Sequence, residues 1–298
     1  MKILLTGSTG FLGSIIKNEL LEDNLITLSR TNSDYKISLE NEVPDFKEIF
    51  DLIIHAAGKA HSVPKTSVEK KQFFDVNVEG TSNLLKGLQK TGIPKQFVFI
   101  SSVSVYGQNS GKNIDENHPL QAVDPYGLSK VESEKLVINW CKENNIICTI
   151  LRLPLLVGEK PPGNLGAMIN AIDKGYYFNI GNGKAKKSMV LAQDVAAFIL
   201  KIANTGGIYN LTDGYHPDFY ELSTVISMKK NKKTPLNMPI FIAKLAGIIG
   251  DLLGEKSPIN SSKLKKITSD LTFDDTKARK AVGWNPKKVL EHLQHNSL

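Results

Sequence analysis

Tyr126 and Lys130 stand four residues apart in Tyr126-Gly127-Leu128-Ser129-Lys130, a spacing that puts both on one face of a helix. A nearby cation favours phenolate, which would draw a tyrosine pKa down from about 10 towards working pH and make it a proton donor and acceptor. Such pairs are common on surfaces, so the chemistry needs a second feature. Ser101-Ser102-Val103-Ser104 closes the apolar run 96–101. In an open parallel sheet that carboxyl end is where ligands bind. On an extended chain Ser102 and Ser104 share a face. One hydroxyl can bond a substrate oxygen beside Tyr126 while the other holds a second group.

A glycine-rich turn supplies a partner for this chemistry. Thr6-Gly7-Ser8-Thr9-Gly10-Phe11-Leu12-Gly13 follows the first apolar run and opens a helical pattern. Gly7 permits the tight turn, Gly10 lets backbone N–H groups approach a pyrophosphate, and Gly13 packs helix on strand. The helix N-terminus adds unpaired donors and the positive end of its dipole. The pattern points to a dinucleotide site. A carboxylate ending the second strand would hold a ribose 2′-OH; a cation there would pair with a 2′-phosphate. That strand ends in Ser29-Arg30-Thr31, with no carboxylate until Asp34. Arg30 can fork onto a phosphate, so NADP(H) is the expected cofactor, and an Asp34 folding back keeps NAD(H) open.

These residues need elements to hold them. Runs 2–6, 25–29, 51–55, 96–101 and 146–151 are almost continuously apolar, as strands covered on both faces are. Helical patterns at 11–21, 70–90 and 126–142 separate them. The alternation predicts βαβ units and an α/β fold with a doubly wound parallel (Rossmann) sheet. After Pro154 the chain becomes turn-rich at 157–164 and 179–187, with helices expected at 191–203, 221–228 and 239–253. The expected organisation is a dinucleotide-binding domain over 1–153, rejoined by about 189–211, and a smaller lobe over 154–188 and 212–298.

Composition narrows the classes. Of 298 residues, 41% are hydrophobic and 22% charged, which excludes disordered and fibrous chains. Cys141 and Cys148 are too few for a disulfide framework or a zinc site and fit a reducing, cytoplasmic setting. No metal and no signal peptide are expected. The most membrane-like stretch, 236–253, is broken by Pro239, Lys244 and Asp251. A span needs roughly 20 largely apolar residues, so this stretch reads as a helix packed in the lobe, with no membrane partner. The net charge is +7, with lysine clusters at 229–233 and 263–266. They lack interleaved aromatics and any nucleic-acid motif. Nucleic acid is therefore not expected, and the charge suits a solvated surface or a small anion such as a nucleotide diphosphate.

TGSTGFLG (6–13), HAAGKAHS (55–62), VNVEGT (76–81), FISSVSVYG (99–107), PYGLSK (125–130) and LRLPLLVG (151–158) occur in this order. Through them the chain resembles the extended short-chain dehydrogenases/reductases, and within these the nucleotide-sugar epimerase/dehydratase branch. The resemblance implies Ser102 as the catalytic hydroxyl, Tyr126 as the acid/base, and Lys130 as holder of the nicotinamide ribose. It sets the loop from Gly7 to Gly13 (Ser8, Thr9, Phe11 and Leu12 included), Ala56, Ala57 and Asn77 around the cofactor. His55 opens the same segment and reads more simply as a satisfied histidine at a strand end. Asn164 and Leu165 stand where related enzymes contact the diphosphate and nucleobase. Lys187, seven before Asp194, stands where related epimerases carry a phosphate-binding arginine; a lysine neutralises phosphate only as a point charge. With Ser102 and Ser104, these three make the implied substrate set. The family also implies a homodimer as the assembly to look for.

Hydride transfer at a sugar carbon needs only the cofactor, Tyr126, Lys130 and Ser102. Dehydratases of the family add an Asp–Glu pair after the catalytic Thr. Here those positions are Val103 and Ser104, which exchange no proton near pH 7, so a 4,6-dehydratase is disfavoured. Two activities at C4 of a UDP-linked sugar remain, both placed in polysaccharide biosynthesis. Arg30 favours a 4-keto reductase, because exchangeable NADPH suits a one-way reduction; the family's usual activity favours a 4-epimerase. A reductase of small non-nucleotide carbonyls would want an apolar lobe without Lys187. A non-catalytic cofactor-binding protein would be expected to lose Tyr126 or Lys130.

Overall fold

The computed structural model describes residues 1–21, 24–60, 64–252 and 260–296. His61 and Ser62 of the 55–62 motif, and the expected helix end at Leu253, lie outside the described residues. The first strands are β1 (Lys2–Thr6), β2 (Asn24–Ser29), β3 (Tyr35–Lys36), β4 (Leu52–His55) and β5 (Gln96–Ser102). There follow β6 (Gly111–Ile114), β7 (Ile147–Leu153), β8 (Leu155–Val157), β9 (Asn179–Ile180), β10 (Met189–Leu191), β11 (Gly207–Asn210), β12 (Asn237–Met238) and β13 (Leu271–Phe273). Seven of them form one parallel sheet in the order β11-β7-β5-β4-β1-β2-β3. The order reverses between β1 and β4, which opens a crevice at their carboxyl ends.

Burial explains the apolar runs. Ile3, Leu4, Leu5, Leu52, Ile53 and Ile54 are all fully buried, and the two-residue period divides them between two cores. Ile3, Leu5, Leu52 and Ile54 join the core beneath α1 (Phe11–Glu19). Leu4 and Ile53 face the opposite core, which also takes Leu84, Leu88, Val137 and Cys141. Those residues come from two long helical segments. One is α2 (Ser67–Phe74) running through a π-turn, Asp75–Glu79, into α3 (Gly80–Thr91); the other is α4 (Pro125–Glu143).

Beyond Pro154 come α5 (Gly163–Asp173), α6 (Ala192–Ala203), α7 (Phe219–Lys229), α8 (Ile240–Leu252), α9 (Ser261–Thr268), α10 (Thr276–Val282) and α11 (Val289–His295). Helix α6 packs on α1, and β11 extends the main sheet beside β7, while β10 pairs with β8 away from it. A third core gathers Leu165, Met189, Leu222, Ile226 and Leu293. Ala278, Val282 and Trp284 pack into the core beneath α1, although the sequence assigned 212–298 to the lobe. Helix α8 departs from expectation in another way: of its residues only Ala243, Gly247 and Gly250 are buried. Among the described residues no helix is long and apolar enough to cross a membrane.

Candidate functional site

The loop after β1 is held by backbone contacts that exclude side chains. Gly7 has φ +72°, and a Cβ there would lie 2.6 Å from the Ala57 nitrogen. A Cβ on Gly13 would lie 2.0 Å from the Gly7 carbonyl oxygen. The loop therefore touches the end of β4 directly, where Ala56 and Ala57 donate their N–H groups to the Thr6 carbonyl and hydroxyl. Helix α1 starts after Gly10 with no side-chain cap and no acidic residue in its first turn. The first-turn donors at Phe11, Leu12 and Gly13 are left for an anion. The Leu12 side chain is core, while Phe11 packs its ring edge against Gly158. Ser8 and Ser29 join their hydroxyls at 3.0 Å, and the Thr9 N–H reaches Ser29 at 3.4 Å.

At the end of β2 the two candidate discriminators differ in freedom. Arg30 is 75% exposed, with one long contact of 3.9 Å to Glu40. Asp34 has folded back, but onto Thr27, whose N–H and hydroxyl donate to one carboxylate oxygen at 2.8 and 2.7 Å. Those bonds hold its pKa below the usual carboxylate range. Thr27 lies two residues short of the strand end, so Asp34 serves the strand edge.

Tyr126 lies in the first turn of α4, which Asp124 caps by accepting the Gly127 N–H at 3.0 Å and Pro125 opens. This turn faces the end of β5. There the chain does not stay extended: Ser102 accepts the Ser104 N–H at 3.2 Å and starts a 3-10 turn over Val103–Tyr106. The shared face expected of Ser102 and Ser104 is thereby lost, because the strand's two-residue period ends at Ser102. Ser104 instead keeps a buried hydroxyl without a hydrogen-bond partner.

The electrostatics also differ from the expected phenolate. Burial pushes the Tyr126 phenol above its ordinary pKa, with Ser102's hydroxyl opposing the shift and Asp124 adding to it. Lys130, 6% exposed, donates to the Ile100 carbonyl at 2.8 Å and lies over the Phe99 ring. Burial lowers it to about 8 against the opposing charge of Glu134. Desolvation governs both groups in the free protein.

Asn77 sits in the π-turn, a feature frequent at functional sites. Its side-chain oxygen accepts the Lys59 N–H at 2.6 Å, and its amide donates to the Lys59 carbonyl and, at 2.8 Å, to Ser129. It thus ties the loop after β4 to α4 between Tyr126 and Lys130. A Cβ on Gly58 would meet both Asn77 and Lys130. His55 is fully engaged. Thr81 gives its proton to the Asn77 carbonyl, so Nε2–H of His55 donates to Thr81, and Thr6 donates to Nδ1. Burial drops its pKa to about 3, and it stays neutral.

Sequence reading missed a buried network behind the site. Glu134 accepts from Ser101 and, bidentately, from Arg152 at 3.1 and 2.7 Å. Arg152 also donates to Tyr106, which donates to Asn210. The available signal was Glu134 one turn beyond Lys130, with an arginine inside the apolar Leu151-Arg152-Leu153.

The lobe residues have surroundings of their own. Asn164 is exposed at the start of α5, just after Gly163 at φ +67°. Leu165 is buried in the lobe core. Lys187 donates to the carbonyls of Lys266 and Ser269 at 2.8 and 2.9 Å, closing the end of α9, and burial lowers it to about 8.

Comparison with known proteins identifies the family. Residues 3–212 match the NAD dependent epimerase/dehydratase family. The chain is 30% identical over 296 residues to an Escherichia coli O157:H7 N-acetyl-alpha-D-glucosaminyl-diphospho-ditrans,octacis-undecaprenol 4-epimerase, covering 92% of this chain and 88% of that one. It is 28% identical to a Vibrio cholerae UDP-glucose 4-epimerase, covering 97% and 92%. Its fold is similar to that of a Thermotoga maritima UDP-glucose 4-epimerase solved with UDP-glucose, with a TM-score of 0.76, 21% identity and coverage of 99% and 96%. The chain belongs to the NAD dependent epimerase/dehydratase family and is a nicotinamide-dependent enzyme.

Proposed function

We propose that the protein is a 4-epimerase of a hexose carried on a diphosphate. The observation that carries this reading is Ser102 and Tyr126 facing each other at the carboxyl end of β5, with Lys130 one turn on and no carboxylate pair beside them. The glycine cradle and the uncapped α1 N-terminus fit a nicotinamide dinucleotide, which supplies reversible hydride acceptance from a sugar carbon. Tyr126 Oη takes the proton of the C4 hydroxyl and returns it. Ser102 Oγ orients that oxygen. Lys130 is proposed to exchange the Ile100 carbonyl for the ribose and, as a cation, to ease Tyr126 towards phenolate. Dehydration is disfavoured, because Val103 and Ser104 offer no second acid or base.

A sugar diphosphate is common to the names of both relatives, one with a uridine tail and one with a polyprenol tail. Asn164 and the α5 N-terminus are proposed to face that diphosphate. Lys187 joins them only by releasing the α9 carbonyls. Arg30 supports NADP(H) over NAD(H), since it is exposed at the β2 end where Asp34 is already spent on Thr27. That same feature favours a second reading, a 4-keto reductase using NADPH. Incubation with UDP-linked hexoses and substoichiometric NAD(P)+ separates them. The C4 epimer forms without net cofactor turnover under the first reading. Stoichiometric NADPH oxidation with a 4-ketosugar, and no epimer, would select the reductase; neither product would overturn both.

A further inference from the structure

Helix α8 is packed inside out. Its small residues Ala243, Gly247 and Gly250 are buried, with Gly247 against α9 at Ser261 and Leu264. Phe241, Leu245, Ile248, Ile249 and Leu252 are 51–85% exposed. At about 100° per residue, Phe241, Leu245, Ile248 and Leu252 fall within roughly 60° of one another on the outward face. Scattered apolar residues on a surface are ordinary, but a continuous stripe marks an interaction site.

Charge identifies what the stripe meets. Residues 229–268 carry nine lysines against Asp251 and Glu255, a net +7 that equals the formal charge of the whole chain. The rest of the molecule is neutral overall. Asp251 is turned towards α9, where it accepts from the Ser261 N–H and hydroxyl, while Lys244 is exposed on α8. We propose that α8 docks on the surface of an anionic lipid bilayer, lying flat with its apolar stripe below the headgroups and lysines at the phosphate level. The thirteen described residues of α8 give about 20 Å of helix, shorter than a span. Two copies of this chain would bring like charges together, and lysine is depleted from protein interfaces. The sequence-based expectation of no membrane partner was argued from spanning and does not bear on a helix lying flat.

Pro239 and Ile240, where α8 begins, also line a cavity of about 740 Å³ with Lys184, Thr268 and Asp270.

Flotation of the full chain with phosphatidylglycerol-rich vesicles, against pure phosphatidylcholine, tests the docking. Binding should be at least about tenfold stronger to the anionic vesicles and should weaken with salt. The double variant Phe241→Asp/Leu245→Asp should lose it by about tenfold or more while keeping its melting temperature and NADPH affinity. Lys265→Glu/Lys266→Glu should lose a similar factor, at roughly fivefold or more per lysine. No flotation of the parent at low salt overturns the proposal, as does unchanged flotation of the aspartate variant. A concentration-dependent dimer that this variant dissolves, without vesicle binding, would assign the face to a second copy. Vesicle binding is read without substrate, so its failure leaves the Tyr126 chemistry standing. Loss of epimerisation on soluble sugar diphosphates leaves the docking standing.

Discussion

Lys130 pairs chemical usefulness with a stability cost that can be measured. The residue is 6% exposed, and burial draws its ammonium from 10.5 to about 8. At about 1.4 kcal/mol per pH unit, a displacement of this size corresponds to ~3 kcal/mol against the charged form in the fold. Lys130→Met removes that charge in a side chain of similar length. It also loses the charge-assisted hydrogen bond to Ile100, worth about 1.5–3 kcal/mol. The variant should therefore gain up to about 1.5 kcal/mol near pH 7, or roughly 3 °C at most in a chain of this size, while losing turnover. The sign follows from proton counting. Between about 8 and 10.5 the unfolded lysine holds a proton that the folded one has released, so the parent gains stability as pH rises through that window. The variant does not. Its advantage is full below pH 8 and falls by ~3 kcal/mol by pH 10.5, where the lost hydrogen bond leaves it the less stable of the two. Urea unfolding of both proteins without cofactor, at pH values from 7 to above 10, gives the difference directly. Lys187, also lowered to about 8, cancels because it is common to both. A variant less stable at pH 7, or a difference that does not change with pH, refutes burial as the cause of the shift.

Tyr126→Phe should fold, bind NADP(H) normally and lose kcat by about 10²–10⁴; comparable turnover on a sugar diphosphate refutes the acid/base role. Arg30→Ala should weaken NADPH by ~1.5–3 kcal/mol, roughly 10- to 150-fold, and leave NADH unchanged; equal small losses for both would make Arg30 a solvent-facing residue. Glu134→Gln should cost about 3–5 kcal/mol by leaving Arg152 buried without its counter-charge. Replacing both Glu134 and Arg152 by Met should cost less than Glu134→Gln alone, as thermal melts of the two variants will reveal.

The parts of the fold that were legible in the sequence are those where one local rule decides. Three glycines after a strand, together with a run buried on both faces, admit few backbone paths. Accordingly β1, β2, β4 and β5 fall within a residue or two of the apolar runs. The helical pattern at 70–90 runs through α2 and α3, but periodicity could not foretell the π-turn that swings Asn77 between Lys59 and Ser129. Nor could an extended-chain argument hold for Ser104, since a hydroxyl at Ser102 that caps the following N–H ends the strand. Competition between side chain and backbone for one hydrogen bond decided that position.

Lysines show why the remainder was not legible. Lys130, Lys187 and Lys265 have the same chemistry and the same local helical or loop context in a one-dimensional string. In three dimensions one is buried on a strand carbonyl, one closes a helix end, and one stands in solvent. Their differences come from partners far along the chain, at Ile100, Lys266 and Ser269, that no spacing rule reaches. Apolar residues suffer the same ambiguity on α8, where composition signals a buried helix and only the third dimension reveals that glycine and alanine took the inner face. A sequence fixes which side chains can do chemistry; which of them are free to do it depends on what the backbone carbonyls have already claimed. For this site that sorting favours Tyr126, Ser102 and Arg30 as the groups still available to a ligand, and asks Lys130 and Lys187 to exchange a carbonyl before they can serve one.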